Sequence, residues 1–405
     1  MAGETEISNE ITIQEDLSVP EISVEELYRR ISQPNDIFLL DVRNQEEFET
    51  WRVEGRYTPE TVHLFYGDFI EEEEAVVDRI PRGREVVVVC AKGGASAYVA
   101  GVLSQSYGIQ AVNLAGGMAA WGNYYHIQPV VAGESYKIYQ VMRVARGCLS
   151  YILESQGQAA LIDPLRHTAP YIEFLEQAGA SLALIIDTHA HADHISGAPE
   201  LAATIGAPYY LHPYDAIHPF DMLPARLHYQ PLQDGQELEL GELSLRVLHV
   251  PGHTLGQVNV LAQAGDGASF LFTGDNLFLQ SFGRPDLGGQ GEAWAPLVYQ
   301  SIFEKIKGIV PGQALVLPGH FAKHEEARPD GLFAAALDSL WQSNADLQIV
   351  SREAFIQYIL SHLPVLPEQY IEIKRVNGGL SHPDEEAASE LELGKNVCAL
   401  STAYR

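Results

Sequence analysis

The sequence predicts two α/β domains in tandem, the first built on a mostly parallel sheet and the second richer in strands. Two patterns carry that expectation. From Ser23 to about Trp121 short apolar runs alternate with helical segments, as strands and crossing helices do in a compact α/β domain. From Tyr136 onward strand-like runs crowd together, and several end in a short polar loop loaded with His or Asp. A chain of 405 residues is long enough for two or three domains of roughly 100–200 residues each.

Taken in order, residues 1–20 hold five acids and neither Lys nor Arg, and read as a solvated acidic tail. The first domain is expected over 20–125. It has a helix at Val24 to Ile31, a buried strand at Ile37 to Leu40, a loop and helix, and a second apolar strand at Glu85 to Val89. A helix at Ala95 to Tyr107 and a strand at Ala111 to Leu114 complete it. Asn123 to Gly133, with Pro129 and a reversal of periodicity, reads as a linker, bounded at 126–137. The second domain, 138–350, opens with strands at Tyr136 to Val144, Cys148 to Glu154 and Gln158 to Ile162. Further buried strands stand at Leu182 to Ile186, Leu243 to Val250 and Ser269 to Phe272. Residues 351–405 read as a C-terminal extension with one amphipathic helix, Glu353 to Leu363, and an acidic end.

Hydrophobic residues make up 46% of the chain, enough for a large core, and the net charge is −29. A surface that acidic repels nucleic-acid phosphates and anionic lipid, so neither nucleic acid nor membrane is an expected partner. The first residues, Met1 to Glu6, carry no basic or apolar leader, and no run approaches the roughly 20 apolar residues that cross a bilayer, so a cytoplasmic protein is expected. A homo-oligomer is compatible with the sequence. Three cysteines, Cys90, Cys148 and Cys398, are too few for a disulfide framework. Cys148 and Cys398 lie in apolar contexts and read as core residues.

Cys90 differs. It follows four valines and opens the run Ala91-Lys92-Gly93-Gly94-Ala95-Ser96, which feeds a helix. A thiol at a strand end beside a helix N-terminus sits among free backbone N–H groups, which stabilise a thiolate or persulfide, and Lys92 adds positive charge. Together with Asp41-Val42-Arg43, Glu47-Phe48 and the run Asn113 to Trp121, this loop resembles a single rhodanese domain covering about residues 20–125. The resemblance implies an α/β sulfurtransferase domain whose Cys90 carries sulfane sulfur as a persulfide, with Asp41 and Arg43 as a supporting pair. The family's loop usually reads Cys-Arg-x-Gly-x-Arg. Here Ala91 and Ala95 stand in place of the arginines, so loop length and cysteine are kept while the anion-binding side chains are not.

The run Thr188-His189-Ala190-His191-Ala192-Asp193-His194 gathers four metal-ligand candidates, and His253, Asp275 and His320 follow at other strand ends. Such density rarely serves packing, since each buried imidazole or carboxylate needs its own partner. Imidazoles and carboxylates without thiolates suit Zn, Fe or Mn. This set, with Asp163, resembles the metallo-β-lactamase fold, an αβ/βα sandwich of two sheets flanked by helices, from roughly Ile138 to Leu347. The segments Gly274-Asp275-Asn276-Leu277-Phe278 and Gly283-Arg284-Pro285-Asp286-Leu287 are most similar to the persulfide dioxygenases. That resemblance implies one Fe(II) per chain on His189, His253 and Asp275. His191, Asp193, His194 and His320 would orient those ligands, and Arg284 and Asp286 would shape the substrate pocket. It implies a low-molecular-weight thiol persulfide and O2 as substrates, with sulfite or thiosulfate as products. The same residues could hold two Zn ions in a thioester hydrolase of the glyoxalase II type. Phe321-Ala322 replaces the Asp-Tyr typical of glutathione-using members, so the carrier thiol is expected to be something other than glutathione.

Overall fold

A computed structural model describes residues 19–71, 73–349 and 351–404; the expected acidic tail lies almost wholly outside them. The chain divides into two compact units, Met1–Trp121 and Gly122–Arg405.

In the first unit, five strands form one sheet in the order Glu21–Ile22, Ala111–Leu114, Val86–Val89, Phe38–Asp41, Glu60–His63. Every pairing is parallel, as expected of alternating strands and helices. Val86–Val89 and Phe38–Asp41 are buried along their whole length, which is why they read as continuous apolar runs. The edge strand Glu60–His63 is missed by the sequence reading, because Glu-Thr-Val-His carries no apolar signature and half-exposed edge positions do not demand one. The helix Gly94–Tyr107 starts directly behind the Cys90 loop.

The second unit holds two sheets. One has seven strands, in the order Gln230–Pro231, Tyr209–Leu211, Ser181–Ile186, Gln158–Ile162, Cys148–Ser155, Tyr136–Arg143, Tyr125–Ala132. The other has six, in the order Glu237–Leu240, Leu243–His249, Val258–Ala264, Ser269–Gly274, Leu315–Pro318, Ala335–Ala336. They pack face to face: the rings of Tyr151 and Phe272, one from each sheet, lie edge to face at 4.9 Å, and the Tyr151 hydroxyl donates to the Pro318 carbonyl at 2.6 Å.

Two expectations are corrected. The expected linker at 126–137 is the strand Tyr125–Ala132, which pairs antiparallel with Tyr136–Arg143. Pro129 is tolerated because this is an edge strand, with a register shift between Pro129 and Val131. The C-terminal extension is no appendage. Its helices Gln369–Asn377 and Glu385–Leu391 belong to the second unit and pack on the histidine loop, with Ile373 and Ala388 in one apolar cluster with Ala192 and Ile195. No helix among the described residues is long and apolar enough to cross a membrane.

Candidate functional site

In the first unit, Cys90 ends the central strand and is 5% exposed. Its Sγ accepts from the Gly93 N–H at 3.1 Å and lies 3.0 Å from the Ser96 hydroxyl. Gly93 takes φ 97°, a left-handed turn that brings its N–H round onto the sulfur. The Met118 and Ala119 N–H groups donate to the Cys90 and Ala91 carbonyls at 2.8 and 3.0 Å, and a Cβ on Gly117 would overlap the Cys90 carbonyl. Lys92 is exposed. Asp41 and Arg43 form a buried bidentate pair, Nε to Oδ1 at 3.0 Å and NH2 to Oδ2 at 2.7 Å, and Arg43 also donates to the Trp51 carbonyl. Those bonds brace the end of the neighbouring strand, and neither side chain is bonded to the thiol.

In the second unit, the strands Ser181–Ile186, Leu243–His249, Ser269–Gly274 and Leu315–Pro318 deliver His189, His253, Asp275 and His320 from their C-terminal loops. Three ligand atoms converge. His253 Nε2 is 3.3 Å and His189 Nε2 3.9 Å from Asp275 Oδ2, all three side chains are buried, and none of these three atoms has a hydrogen-bond partner. Their other polar atoms are engaged. His253 Nδ1 is 2.9 Å from the Arg284 carbonyl, so it carries the proton and leaves the Nε2 lone pair facing the centre. His189 Nδ1 is 3.0 Å from the Thr188 hydroxyl, which donates its own hydrogen to Asp163 Oδ2 at 2.9 Å, so the same tautomer follows. Burial keeps both imidazoles neutral, pulling His253 down to about 4 and His189 well below the ordinary histidine value. Gly283 seals the set, because a Cβ there would overlap the Asp275 carbonyl. Buried lone pairs left unpaired are costly unless something binds them, and two neutral imidazoles with one carboxylate form a coordinating set that fits a metal ion.

The remaining expected residues fall into two groups. His191 turns onto Asp163 (3.2 Å) and Asp187 (3.8 Å). Burial opposes its charging, but the two carboxylates outweigh burial and push its pKa up to about 10. Asp193, His194 and His320 cluster with Cys148, all buried, with ligand atoms within 4.8 Å of one another. His320 bridges Asp193 Oδ2 at 2.9 Å and Asp275 Oδ1 at 2.6 Å. Burial disfavours its positive charge, yet Asp193 and Asp275 hold its pKa well above the ordinary value. Cys148, expected only as core, sits 3.4 Å from Asp193 Oδ2. Burial raises its thiol pKa, and His320 and His194 more than offset that, bringing it down to about 7.

Arg284 and Asp286 form the expected pair, at 2.6 and 2.8 Å. The remaining guanidinium donors end on the carbonyls of Pro364, Val365 and Val397, so Arg284 ties down the C-terminal segment and has no donor left for substrate. A cavity of about 310 Å³ beside the triad is lined by Tyr214, Asp215, Met222, Leu255, Trp294 and Lys374, with Ala190 and Thr254, the residues after His189 and His253. Sequence reasoning missed Asp215 and Lys374.

Residues 143–349, just over half of the chain, match the model of the metallo-beta-lactamase superfamily. The chain belongs to that superfamily. Residues 23–124 match the rhodanese-like domain, so this metallo-beta-lactamase superfamily member carries a rhodanese domain ahead of its metal-binding fold. It is 32% identical over 164 residues to the human mitochondrial persulfide dioxygenase ETHE1, 40% of this chain and 59% of that one. It is equally 32% identical over 223 residues to a hydroxyacylglutathione hydrolase of Cupriavidus taiwanensis, covering 54% of this chain and 77% of that one. Among solved structures, a metallo-beta-lactamase from Staphylococcus aureus superposes with a TM-score of 0.54 at 28% identity, covering 62% of this chain and 74% of the other. Superfamily membership makes the chain an enzyme fold with metal-binding residues, and leaves the reaction to the site itself.

Proposed function

We propose that the chain is a persulfide dioxygenase, oxidising the terminal sulfur of a low-molecular-weight thiol persulfide: RSSH + O2 + H2O gives RSH + H2SO3. The observation that carries this reading is the set of three buried, unpartnered ligand atoms on His189, His253 and Asp275. Two histidines and one carboxylate are the donor set of non-haem iron oxygenases. One Fe(II) held there would supply coordination positions open to O2 and to the persulfide sulfur. His191 lies 3.2 Å from Asp163 Oδ1 and faces that carboxylate, which supports a three-residue ligand set. Asp163 and Thr188 fix the His189 tautomer, the Arg284 carbonyl fixes that of His253, and His320 anchors the second carboxylate oxygen of Asp275. In the rhodanese domain, Cys90 would carry sulfane sulfur. Sulfite attacking a Cys90 persulfide takes the outer sulfur as thiosulfate and leaves the Cys90 thiolate, for which the Gly93 N–H is already placed.

A second reading has its own observation. Asp193, His194, His320 and Cys148 offer four more ligand atoms within 4.8 Å, and two zinc ions across both sets would suit hydrolysis of a thioester. Metal content of protein purified without added metal separates the two, together with O2 uptake on a persulfide. One iron per chain with persulfide-dependent O2 uptake is expected. Two zincs, no O2 uptake after anaerobic Fe(II) loading, and thioester cleavage would sink the dioxygenase reading.

A further inference from the structure

We propose that Lys374 is the anion-binding residue of the cavity beside the triad, and that this cavity accepts a compact apolar molecule bearing a single carboxylate. The proposal deepens the dioxygenase reading and rests on it for the natural ligand, which would be the persulfide of a small mercapto acid. The binding test below needs no turnover, so the two can fail separately.

Lys374 comes from the helix Gln369–Asn377, beyond the segment that matches the superfamily, and reaches into the wall of the 310 Å³ cavity. It is 4% exposed. Its ammonium carries three N–H donors, and the Ala190 carbonyl, at 2.6 Å, is its single hydrogen-bond partner among the described residues. An ammonium so deeply placed with donors to spare is costly alone and suited to an anion arriving from the cavity. Burial draws its pKa below the ordinary lysine value, with Asp215 opposing.

Asp215 offers no comparable capacity. Its Oδ2 accepts from the Ala190 N–H at 2.7 Å and the Thr254 hydroxyl at 2.6 Å, and its Oδ1 accepts from the Gly256 N–H at 2.7 Å. It therefore holds the two ligand-bearing loops together. Gln290 is neutral, and Tyr214, Met222, Leu255 and Trp294 line the rest of the wall with mostly carbon surface. A ligand with two carboxylates and an ammonium, as in a glutathione persulfide, would meet one cation with two free donors and one carboxylate, Asp215, that already accepts three hydrogen bonds. A monoanion with a carbon body meets what the cavity offers.

Hexanoate and its neutral counterpart hexanamide, titrated calorimetrically into the full metal-loaded chain, test this. A charge-assisted contact should make hexanoate bind about tenfold tighter than hexanamide. Lys374→Met should erase that ratio while hexanamide affinity holds within about twofold, and Lys374→Arg should keep it. Equal affinity of the two probes for the native chain, or an undiminished preference in folded Lys374→Met, would overturn the proposal. Should Lys374→Met not fold, Met222→Glu serves, since Met222 lines the cavity yet is 71% exposed and tolerates exchange. The added negative charge should weaken hexanoate several-fold and spare hexanamide. Unchanged hexanoate affinity in that variant would equally count against it.

Discussion

His253 and Asp275 point their ligand atoms at one centre and keep their other polar atoms occupied, so each replacement removes a ligand without a substitute nearby. His253→Ala or Asp275→Ala should lose bound iron and O2 uptake together. His320→Ala removes only a support of Asp275 and should retain most of the iron; metal analysis of the three variants checks the ranking. Cys90 belongs to the other compact unit. Cys90→Ser is expected to abolish sulfur transfer and leave O2 consumption on a free persulfide largely intact, and loss of both in folded, metal-loaded protein would mean that sulfur must pass through Cys90. Glu392 gives a pH-dependent case. Burial raises its carboxyl pKa, but Arg143, Arg146 and Arg166 outweigh burial and lower it from 4.5 to about 2. A folded pKa below the unfolded one stabilises the protein fully above about 4.5, and the contribution is lost as pH falls toward 2. Glu392→Gln should therefore cost about 3 kcal/mol near neutrality. The difference from the native chain should close in denaturation measured near the bottom of that range.

At the scale of elements, the loop from Ala190 to Ser196 owes its shape to the C-terminal helices. Asn377 donates to the His191 and His194 carbonyls, both at 2.9 Å, and accepts from the Ser196 N–H at 2.9 Å. Glu392 accepts from the Ile195 N–H at 2.8 Å while pairing with Arg143 and Arg166. Every hydrogen-bonding group of the Asn377 amide is thus spent on the loop, in a place closed to solvent. Asn377→Ala strands three buried backbone groups, each costing about 1–3 kcal/mol when water cannot replace the partner. A loss of at least about 2 kcal/mol of stability is expected, with metal affinity falling roughly 10–100-fold as the loop loosens. Thermal unfolding with and without Fe(II) would show both effects, and an unchanged metal affinity would mean that the loop holds its form without the clamp.

For the whole molecule, the metal residues and their C-terminal clamp fall within one unit, Gly122–Arg405, which has two sheets and its own core. Expressed alone, that unit should fold, bind iron and consume O2 with a persulfide, while sulfur transfer should require the first unit. The cavity proposed to take the substrate lies in the same unit. The cavity beside the triad has one open cation and mostly apolar walls, so kcat/KM for glutathione persulfide is expected to be several-fold below that for the best small persulfide. A clear preference for glutathione would contradict that. Phe321, which prompts the same expectation from sequence, stacks on Phe333 at 3.8 Å in the core, so the discrimination is assigned to the cavity residues instead.

The sequence by itself determined the two-domain order, the parallel first sheet and the Cys90 loop, because continuous apolar runs and a Gly-rich strand end leave few alternatives. It also marked the three residues whose ligand atoms converge, among seven candidates, since titratable residues packed at strand ends are costly to bury without a use. It left one ion or two open; in the fold His191 faces Asp163 and Asp187 at neighbouring strand ends, a placement that spacing in the sequence does not show. The strand Tyr125–Ala132 was read as a linker because its apolar face answers to a partner strand and its proline is allowed only by its edge position. Lys374 and Asn377 were illegible for a related reason. Lys374 and Asn377 bond the histidine loop from 184 and 186 residues along the chain, and a lone Lys or Asn on an amphipathic helix carries no mark of what it will meet. A ligand's chemistry is a property of its side chain and shows in the sequence. A partner's is a property of distance, and only the closed chain fixes distance.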